Sequence, residues 1–409
     1  MKYIICLLMA LMLPFAALAE DNRYEDVGFY GEYDMCPVKR NGLWGFVDHT
    51  GQLIVPCEWD GVGMVFQGRA SVYKDDRWGA IDKAGNILVP CEWDYLVPES
   101  DGGYTVKRNG YSGALAGDGT VLIPCDRYTY VGPVINGARH IGLNDLWGLC
   151  TETGEIITPC QWQSTGYFHE GLAWVCGEGF SYGYINEQGE TVIPTGYGYA
   201  HLEDFVGGSA AVRFTNGSWQ LMDTRGRFLC EKPWDDMEQF AQGDLILVKK
   251  NGKYGFINRQ GETVIPPIYD NAQHFRDGLA GVVLDGDAFW IDETGAKAVD
   301  RPEGYSSWQF NNGFVCMKDE NSLYGVMDKS GAFIIPCEWP DGLINPFDRG
   351  GITYMWTDTH YAFFNKQGQM VTGQMHERGR FKFAIQKEYL FLVEDGVLSI
   401  WHAYGRKVY

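Results

Sequence analysis

Positive charge is scarce in this sequence. Its 409 residues hold 33 Lys and Arg against 53 Asp and Glu, which gives a formal net charge of −20. A surface of that sign repels phosphate backbones and anionic membrane surfaces, so the composition argues against nucleic acid as a partner. Long runs of like charge are also missing, and we therefore expect no acidic interaction tail.

Long apolar stretches are confined to the first residues. Lys2 precedes an apolar stretch over Ile4–Leu13, and Ala17-Leu18-Ala19 fits the small-x-small pattern of a cleavage site. The pattern predicts a Sec-type signal peptide over residues 1–19 that is removed after Ala19, with an uncleaved anchor as the alternative. We then expect a secreted, periplasmic or cell-surface protein. No other segment approaches ~20 continuous apolar residues, so we expect no membrane span after signal removal.

The sequence also lacks the motifs that are typical of catalysis and metal binding. The sequence has no Cys-x-x-Cys pair, no Cys and His cluster with zinc spacing and no phosphate-binding Walker loop. We also expect no nucleophile elbow of the α/β-hydrolase kind. The eight histidines are scattered, and turns explain the repeated Asp and Asn residues without paired glycosidase carboxylates. We therefore predict no catalytic residue, no metal ligand and no cofactor.

What the sequence does contain is a repeat. A turn-type glycine recurs every 34 to 37 residues and defines eleven units that run through nearly all of residues 20–409. The glycines are Gly51, Gly85, Gly119, Gly154, Gly189, Gly226, Gly261, Gly295, Gly331, Gly368 and Gly405. Self-similarity at such a fixed period is typical of solenoids and propellers, in which each unit buries its apolar face against its neighbours.

The first unit shows how each copy is expected to fold. Trp44–Val47 predicts a short strand, and Asp48-His49-Thr50-Gly51 predicts a hairpin turn. Leu53–Val55 predicts the returning strand, which ends at Pro56 because proline removes a ladder donor. Asn-Gly pairs such as Asn41-Gly42 predict a further hairpin before the aromatic residue. Each unit is therefore expected to hold at least a three-stranded antiparallel meander, followed by a fourth strand or a packed loop.

These motifs resemble those of the bacterial WG-repeat family, also called KWG repeats. The resemblance rests on Trp44-Gly45, Trp78-Gly79, Trp147-Gly148 and Lys253-Tyr254-Gly255, each followed by the turn and a Val-Ile-Pro-like strand. It covers roughly residues 36–409 and implies an all-β repeat protein, often exported or surface-associated, with no catalytic motif to carry over. The pattern departs near the Trp-Gly site in the units that hold Ser112, Gln220, Phe289, Ala362 and Ser399.

The unit size fits two architectures. About 35 residues with three or four strands match a small propeller blade or one rung of an open β-solenoid or superhelix. We predict propeller-like blades; because eleven exceeds the usual 4–8 blades of one ring, two consecutive rings or an open spiral are favoured. The aromatic tail from Trp401 to Tyr409 is expected to pair with N-terminal residues. We also expect the glycine of Trp-Gly to let another backbone or a ring approach closely, or to permit a bulge, with an aromatic ring of the next unit as the candidate for covering it.

Cysteine occupies one fixed position in the units. Five cysteines follow the position at which the strand ends, and other units place Thr195 or Pro267 there. A position that accepts Cys, Thr or Pro is a small packing site, and equivalent sites on neighbouring sheets lie near 10 Å apart, beyond disulfide reach. We predict buried free thiols at Cys57, Cys91, Cys125, Cys160 and Cys337. The sequence does not decide whether Cys36, Cys150, Cys176, Cys230 and Cys316 form disulfides.

Tryptophan offers the remaining candidates for function. The repeat accounts for nine of the fourteen tryptophans, whereas Trp174, Trp308 and Trp356 fall outside its consensus. Exposed rings there would stack on sugars or peptide side chains; the alternative is local packing. We predict a non-enzymatic exported scaffold that binds a protein, glycan or cell-envelope component. The alternatives are a carbohydrate-active enzyme and a purely structural assembly protein.

Overall fold

Eleven small antiparallel sheets form the fold. The computed structural model describes residues 23–28, 34–238, 243–307, 309–342, 346–347 and 351–409, and these residues contain strands and turns but no helix. Every sheet is built from strands in chain order, so each sheet is one repeat unit, or blade. The eleven blades form one ring, an eleven-bladed β-propeller. The predicted all-β, propeller-like architecture is confirmed. The blades form a single ring, however, and not the two consecutive rings or the open spiral that we favoured.

The first five blades each have four strands. Blade 1 is β1 Asp26–Val27, β2 Cys36–Arg40, β3 Leu43–Val47 and β4 Leu53–Trp59. Blade 2 is β5 Gly61–Phe66, β6 Arg69–Lys74, β7 Arg77–Asp82 and β8 Ile87–Trp93. Blade 3 is β9 Tyr95–Pro98, β10 Tyr104–Arg108, β11 Tyr111–Leu115 and β12 Val121–Ile123. Blade 4 is β13 Tyr130–Val131, β14 Ala138–Leu143, β15 Leu146–Thr151 and β16 Ile156–Trp162. Blade 5 is β17 Ser164–Thr165, β18 Leu172–Gly177, β19 Ser181–Asn186 and β20 Thr191–Ile193.

The remaining six blades follow the same plan, except that blade 6 has three strands. Blade 6 is β21 Tyr199–Leu202, β22 Ser209–Phe214 and β23 Trp219–Asp223. Blade 7 is β24 Asp236–Glu238, β25 Leu245–Lys250, β26 Lys253–Asn258 and β27 Thr263–Tyr269. Blade 8 is β28 Asn271–Ala272, β29 Ala280–Leu284, β30 Asp287–Ile291 and β31 Lys297–Asp300. Blade 9 is β32 Ser306–Ser307, β33 Phe314–Lys318, β34 Tyr324–Asp328 and β35 Phe333–Trp339. Blade 10 is β36 Asp341–Gly342, β37 Ile352–Trp356, β38 His360–Asn365 and β39 His376–Glu377. Blade 11 is β40 Phe381–Gln386, β41 Tyr389–Glu394, β42 Val397–His402 and β43 Arg406–Lys407.

The predicted turns are present. All eleven turn glycines have positive φ, between 74° and 95°, a region that glycine enters without steric cost. In the first of these turns the Gly51 N–H donates to the Asp48 carbonyl, and the Asp48 side chain accepts from the Thr50 N–H at 2.8 Å. The preceding hairpin has positive φ at both Asn41 and Gly42, the signature of a type I′ turn.

The glycine of Trp-Gly allows the fourth strand to approach closely. A Cβ placed on Gly45 would lie 2.5 Å from the carbonyl oxygen of Val55, and one on Gly79 would lie 2.6 Å from that of Val89. The third and fourth strands shift register at this point, so the fourth strand bulges against the glycine. The expected close approach of backbone with a bulge is therefore confirmed, whereas the aromatic ring of the next unit does not cover the glycine, because backbone of the same blade fills that space.

Blades that lack this glycine build the fourth strand differently. Gln220 stands at the glycine position of blade 6, which has no fourth strand and retains two isolated bridges beside its third strand. Ala362 and Ser399 stand there in blades 10 and 11, whose fourth strands are two residues long. All five seven-residue fourth strands face such a glycine, whereas blades 3 and 5 combine the glycine with a fourth strand of three residues.

The cores lie between blades. The described residues form eleven apolar clusters, and each cluster joins one pair of neighbouring blades. The cluster between blades 1 and 2, for example, contains Phe46 and Val55 of blade 1 with Val72 and Ile81 of blade 2. Because each blade exposes two apolar faces, it depends on both neighbours for burial.

The ring closes between blades 11 and 1. One cluster joins Val38 and Val47 of blade 1 to Phe391 and Leu398 of blade 11. The Tyr24 N–H donates to the carbonyl of Gly396 at 2.7 Å.

The C-terminal residue completes this junction. A Cβ on Gly51 would lie 2.2 Å from the ring of Tyr409, so this ring lies directly against the first turn. In blade 2 the equivalent glycine, Gly85, faces Val55 of the preceding blade. The expected pairing of the C-terminal tail with the N-terminal blade is confirmed at the level of packing.

The cysteines are free thiols. All ten cysteines in the described part of the chain are unpaired, including the five whose pairing was left open. The predicted full burial of the five at the repeated position is wrong, because Cys57, Cys91, Cys125, Cys160 and Cys337 are half-buried. At the repeated position, the Cys57 thiol points to the carbonyl of Val38 at 3.9 Å, and Cys160 points to that of Ile141 at 3.5 Å. Burial raises the pKa of Cys150 to about 11 and that of Cys316 to about 12. Such thiols stay protonated at neutral pH, which supports a packing role.

Candidate functional site

Two of the three candidate tryptophans pack against neighbouring side chains, Trp174 at the junction of blades 5 and 6 and Trp356 within blade 10. The Trp174 indole covers Gly166, whose Cβ position is 2.3 Å from Nε1, and it hydrogen-bonds the Asp204 carboxylate. Burial raises the pKa of Asp204, and this hydrogen bond opposes the rise. The Trp356 ring lies 5.6 Å from that of Tyr354. Trp308 lies outside the described residues.

The candidate tryptophans do not form one site. Trp174 belongs to blade 5 and Trp356 to blade 10, so four blades separate them along the chain. Both side chains are half-buried. Trp174 and Trp356 therefore cannot contact the same small ligand.

A different surface brings exposed apolar side chains together. We call it the first-strand groove, because most of its residues come from or follow the first strands of blades 2, 3 and 4. Its volume is about 450 Å³, and its lining consists of Met64, Phe66, Tyr95, Val97, Pro98, Glu99, Ser100, Thr105, Lys107, Tyr130, Val131 and Pro133. Eight of these twelve side chains are apolar or aromatic, which is typical of ligand-binding clefts.

Strand alternation explains why this surface is exposed. Tyr95 is 45% exposed, whereas the next residue, Leu96, is buried in the core between blades 2 and 3. Tyr130 is 38% exposed and is followed by buried Val131 in the same way. Successive side chains of a strand point to opposite faces, so the residues that fill the core leave their neighbours pointing outwards. Neither tyrosine belongs to the apolar clusters of the core, although the Tyr130 ring contacts Trp147 edge to face at a centroid distance of 5.2 Å.

A buried ion pair lies beside the groove. The Glu99 carboxylate accepts from Arg139 Nη1 at 2.7 Å and from the Thr105 hydroxyl at 2.5 Å. It also accepts from the Val134 N–H at 3.2 Å. Arg139 is fully buried, and it belongs to the second strand of blade 4, whereas Glu99 follows the first strand of blade 3. The pair therefore links two blades and fixes the wall of the groove.

The aromatic surface continues onto blade 5. Tyr130 and Tyr167 both lie over Gly132, whose Cβ position is 3.3 Å and 3.4 Å from their hydroxyl oxygens. The Tyr167 ring stacks on His140 with a centroid distance of 3.9 Å. Burial lowers the pKa of His140, so this imidazole is neutral at pH 7 and stacks without a charge.

Cation–aromatic pairs, like the first-strand groove, are a feature that the sequence patterns did not reveal. In four blades a Lys or Arg of the second strand lies opposite the aromatic residue of Trp-Gly and within 6 Å of its ring. The pairs are Lys39 with Trp44, Arg213 with Trp219, Lys249 with Tyr254 and Lys318 with Tyr324. These half-buried rings are therefore partly covered by the stems of basic side chains.

One motif was overlooked in the sequence. Gly179-Phe180-Ser181-Tyr182-Gly183 matches the G-x-S-x-G spacing, although no such elbow was expected. In the structure Gly179 and Phe180 form the turn of an antiparallel hairpin in blade 5, and Ser181 begins β19. A nucleophile elbow requires a strand-to-helix turn, which this hairpin does not provide.

Two searches of the described residues are negative. No group of three or more His, Cys, Asp or Glu side chains is arranged to hold a metal ion in the described part of the chain. In the same residues, no helix is long and apolar enough to cross a membrane.

Solved structures resemble this chain only distantly. The computationally designed Ika8 protein is 10% identical, with a TM-score of 0.34 over 75% of this chain and 95% of that chain. BamB from Moraxella catarrhalis is 13% identical, with a TM-score of 0.34 over 67% and 93% of the two chains. A eukaryotic initiation factor is 12% identical, with a TM-score of 0.42 over 76% and 96%. No functional argument rests on these similarities, and no curated protein matches the sequence.

The sequence family is defined by the repeat itself. The family model described as WG containing repeat matches residues 44–78, 78–111, 147–179, 182–219, 221–254 and 254–286. Each match begins in the third strand of one blade and ends at or just before the third strand of the next, and the six matches together span half of the chain. The chain therefore belongs to the WG-repeat family.

Proposed function

We propose that this protein is a non-enzymatic, exported scaffold that binds another protein through the first-strand groove. The observation that carries the proposal is the groove's lining, in which exposed Met64, Tyr95 and Tyr130 stand on a rigid sheet framework. Exposed apolar side chains that gather in one cleft mark interaction sites on soluble proteins. Rigid aromatic residues also supply much contact area at a low cost in conformational entropy.

The chemistry of the groove favours an apolar peptide segment over a sugar. The polar side chains available are few, and Glu99 already accepts four hydrogen bonds from its own chain. A sugar needs many hydrogen-bonding partners, whereas a peptide segment can bury apolar side chains against Tyr95 and Phe66. A glycan is the second candidate, because the exposed rings of Tyr95 and Tyr130 can stack on a sugar face.

The binding proposal is tested with a pair of substitutions. Peptides selected from a displayed random library against the purified protein are expected to carry apolar residues. Tyr95→Ala combined with Tyr130→Ala should weaken their binding at least about tenfold, since central aromatic residues dominate interfaces. Tyr111→Ala is the matched control, because Tyr111 is 41% exposed and lies outside the groove. Dissociation constants from fluorescence anisotropy provide the measurement.

Other outcomes separate the competing functions. Equal affinity for the double variant and the wild type would contradict the groove as the binding site. Selective retention of glycans in place of peptides would favour the second candidate, and turnover of a glycan would favour the carbohydrate-active enzyme. Self-association without any peptide or glycan ligand would favour a structural assembly protein.

Export is proposed from the N-terminal sequence alone. The signal-like stretch of residues 1–19 lies outside the described residues, and its cleavage after Ala19 would leave Glu20 as the first residue. N-terminal sequencing of protein made in its natural host is expected to begin at Glu20. A cytoplasmic protein that still begins with Met1 would contradict export.

A further inference from the structure

Blade 8 departs from the repeat at a position that is small in most blades; blades 6 and 10 also depart from it, with Lys232 and Gln374. Six residues after the turn glycine, seven other blades carry a small side chain: Cys57, Cys91, Cys125, Cys160, Thr195, Pro267 and Cys337. In blade 8 the residue six positions after Gly295 is Arg301. A long cation therefore occupies a position that usually holds a packed thiol.

The aromatic pair of the repeat is also missing from blade 8. In blade 1, Trp44 pairs with Trp59 across the third and fourth strands. The corresponding residues of blade 8 are Ala288, seven positions before the turn glycine, and Glu303, eight positions after it. Phe289 replaces the glycine, and the fourth strand of blade 8 ends at Asp300. The space that two rings occupy in blade 1 is therefore not filled by rings in blade 8.

The result is a cleft at the junction of blades 8 and 9. A cavity of about 110 Å³ lies next to one of about 530 Å³. Both are lined by Ala288, Phe289 and Arg301, so they form one cleft with an inner and an outer part. Ser307 of blade 9 lines the inner part, and Tyr305 lines the outer part.

The inner part is suited to one negative charge. Among the described residues that line it, Arg301 is the one charged residue, accompanied by the neutral polar residues Asn271, Gln273 and Ser307. Arg301 is half-buried and forms no hydrogen bond or ion pair with any residue in the described part of the chain. By contrast, the buried Arg139 of blade 4 is paired with Glu99. An unpaired guanidinium in a cavity offers a fork of donors that matches a carboxylate.

The outer part limits which anion can enter. Asp287, Asp300 and Glu303 line it, and Lys297 is held in an ion pair with Asp300. Because the Lys297 ammonium offsets the Asp300 carboxylate, Asp287 and Glu303 supply the excess negative charge of the outer part, which disfavours a doubly charged phosphate and attracts a positive group on the same ligand. A singly charged carboxylate that carries a nearby ammonium or amide N–H donor fits both parts of the cleft.

We propose that this cleft, the Arg301 cleft, binds the free carboxylate of an amino acid or of a peptide C-terminus. Arg301 Nη atoms receive the carboxylate in the inner part, and the acidic residues of the outer part accept from the amino or amide nitrogen. The site is independent of the first-strand groove, because it lies on blades 8 and 9 and shares no residue with that groove.

Ligand-observed NMR on the full-length mature protein tests the proposal and distinguishes the two ligand sources. The probes are an equimolar mixture of the twenty amino acids, a tripeptide mixture with free C-termini, and the same tripeptides with amidated C-termini. We expect saturable binding in at least one free-carboxylate mixture and none in the amidated mixture. Binding of amino acids alone would identify the free metabolite as the source, and binding of tripeptides would identify the C-terminus.

Three variants decide whether Arg301 is responsible. Arg301→Thr introduces the residue type that blade 5 carries at this position, and it is expected to raise the dissociation constant at least tenfold. Ala288→Trp restores the aromatic residue of the repeat and should block the cleft even if Arg301→Thr misfolds. Arg225→Gln is the control, because Arg225 is exposed on blade 6. Failure of all free carboxylates to bind, equal binding of amidated tripeptides, or unchanged affinity in both cleft variants would overturn the proposal. Tyr95→Ala should leave this binding unchanged.

Discussion

Deletion of residues 398–409 is expected to destabilise the protein more than any single substitution considered above. The deletion removes Leu398 and Ile400 from the core that joins blades 11 and 1, and it removes the Tyr409 ring from Gly51. Each large core side chain contributes about 2–5 kcal/mol, so the loss should be about 5 kcal/mol or more. Without this closing interface, both end blades expose an apolar face to water. Thermal unfolding followed by circular dichroism provides the measurement.

A smaller change separates ring closure from the loss of a strand. Tyr409→Ala removes only the ring that covers Gly51 and should cost about 2 kcal/mol for its partly buried surface. Tyr404→Ala is the matched control, because Tyr404 is 73% exposed in the same tail. If the melting temperature of the deletion variant equalled that of the intact chain, the closed ring would be contradicted.

Gly79→Val is expected to have the second largest effect. The new Cβ would lie 2.6 Å from the Val89 carbonyl oxygen and 2.8 Å from the Cys91 sulfur, closer than atoms can pack. Relief requires the bulged fourth strand of blade 2 to move, and this strand also carries Trp93 in the core against blade 3. Overpacking against backbone should cost about 3 kcal/mol. Urea unfolding monitored by tryptophan fluorescence provides the measurement.

The control for this prediction is the same change at the same position of another blade. Gln220→Val in blade 6 introduces an identical side chain where no fourth strand is present. Gln220 is buried and its Nε2 donates to the Cys230 carbonyl at 3.4 Å, so we expect this variant to lose about 1 kcal/mol, clearly less than Gly79→Val. Equal destabilisation in both blades would show that the effect comes from valine itself and would remove the proposed role of the glycine.

The repeat made most of the fold predictable. Turn positions such as Gly51 need positive φ, and hairpins such as Asn41-Gly42 have a residue signature, so local chemistry reveals them in any copy. The number of blades in one ring was not predictable, because closure depends on Tyr409 meeting Gly51 from the far end of the chain. A close backbone approach or a bulge at Gly79 was predicted, whereas the covering ring of the next unit was wrong, because backbone of the fourth strand of blade 2 fills that space.

The candidate sites were harder to predict from the sequence than the fold. Tyr95 and Tyr130 look like core aromatic residues until the strands place them on the outer face. Trp174 stands outside the consensus and yet packs over Gly166 within its own blade. Arg301 could have been found, because aligning the position six residues after each turn glycine shows one arginine among mostly small residues. A departure from the repeat indicates a site only when the structure shows the space it opens.

Electron cryomicroscopy or crystallography of the purified mature protein tests the central claim most directly, because either shows the number and arrangement of the blades. The account predicts a single closed ring of eleven blades, with Tyr409 against the first turn at Gly51 and an apolar core at every junction. An open arc, two separate rings, or a first and a last blade that do not touch would contradict it.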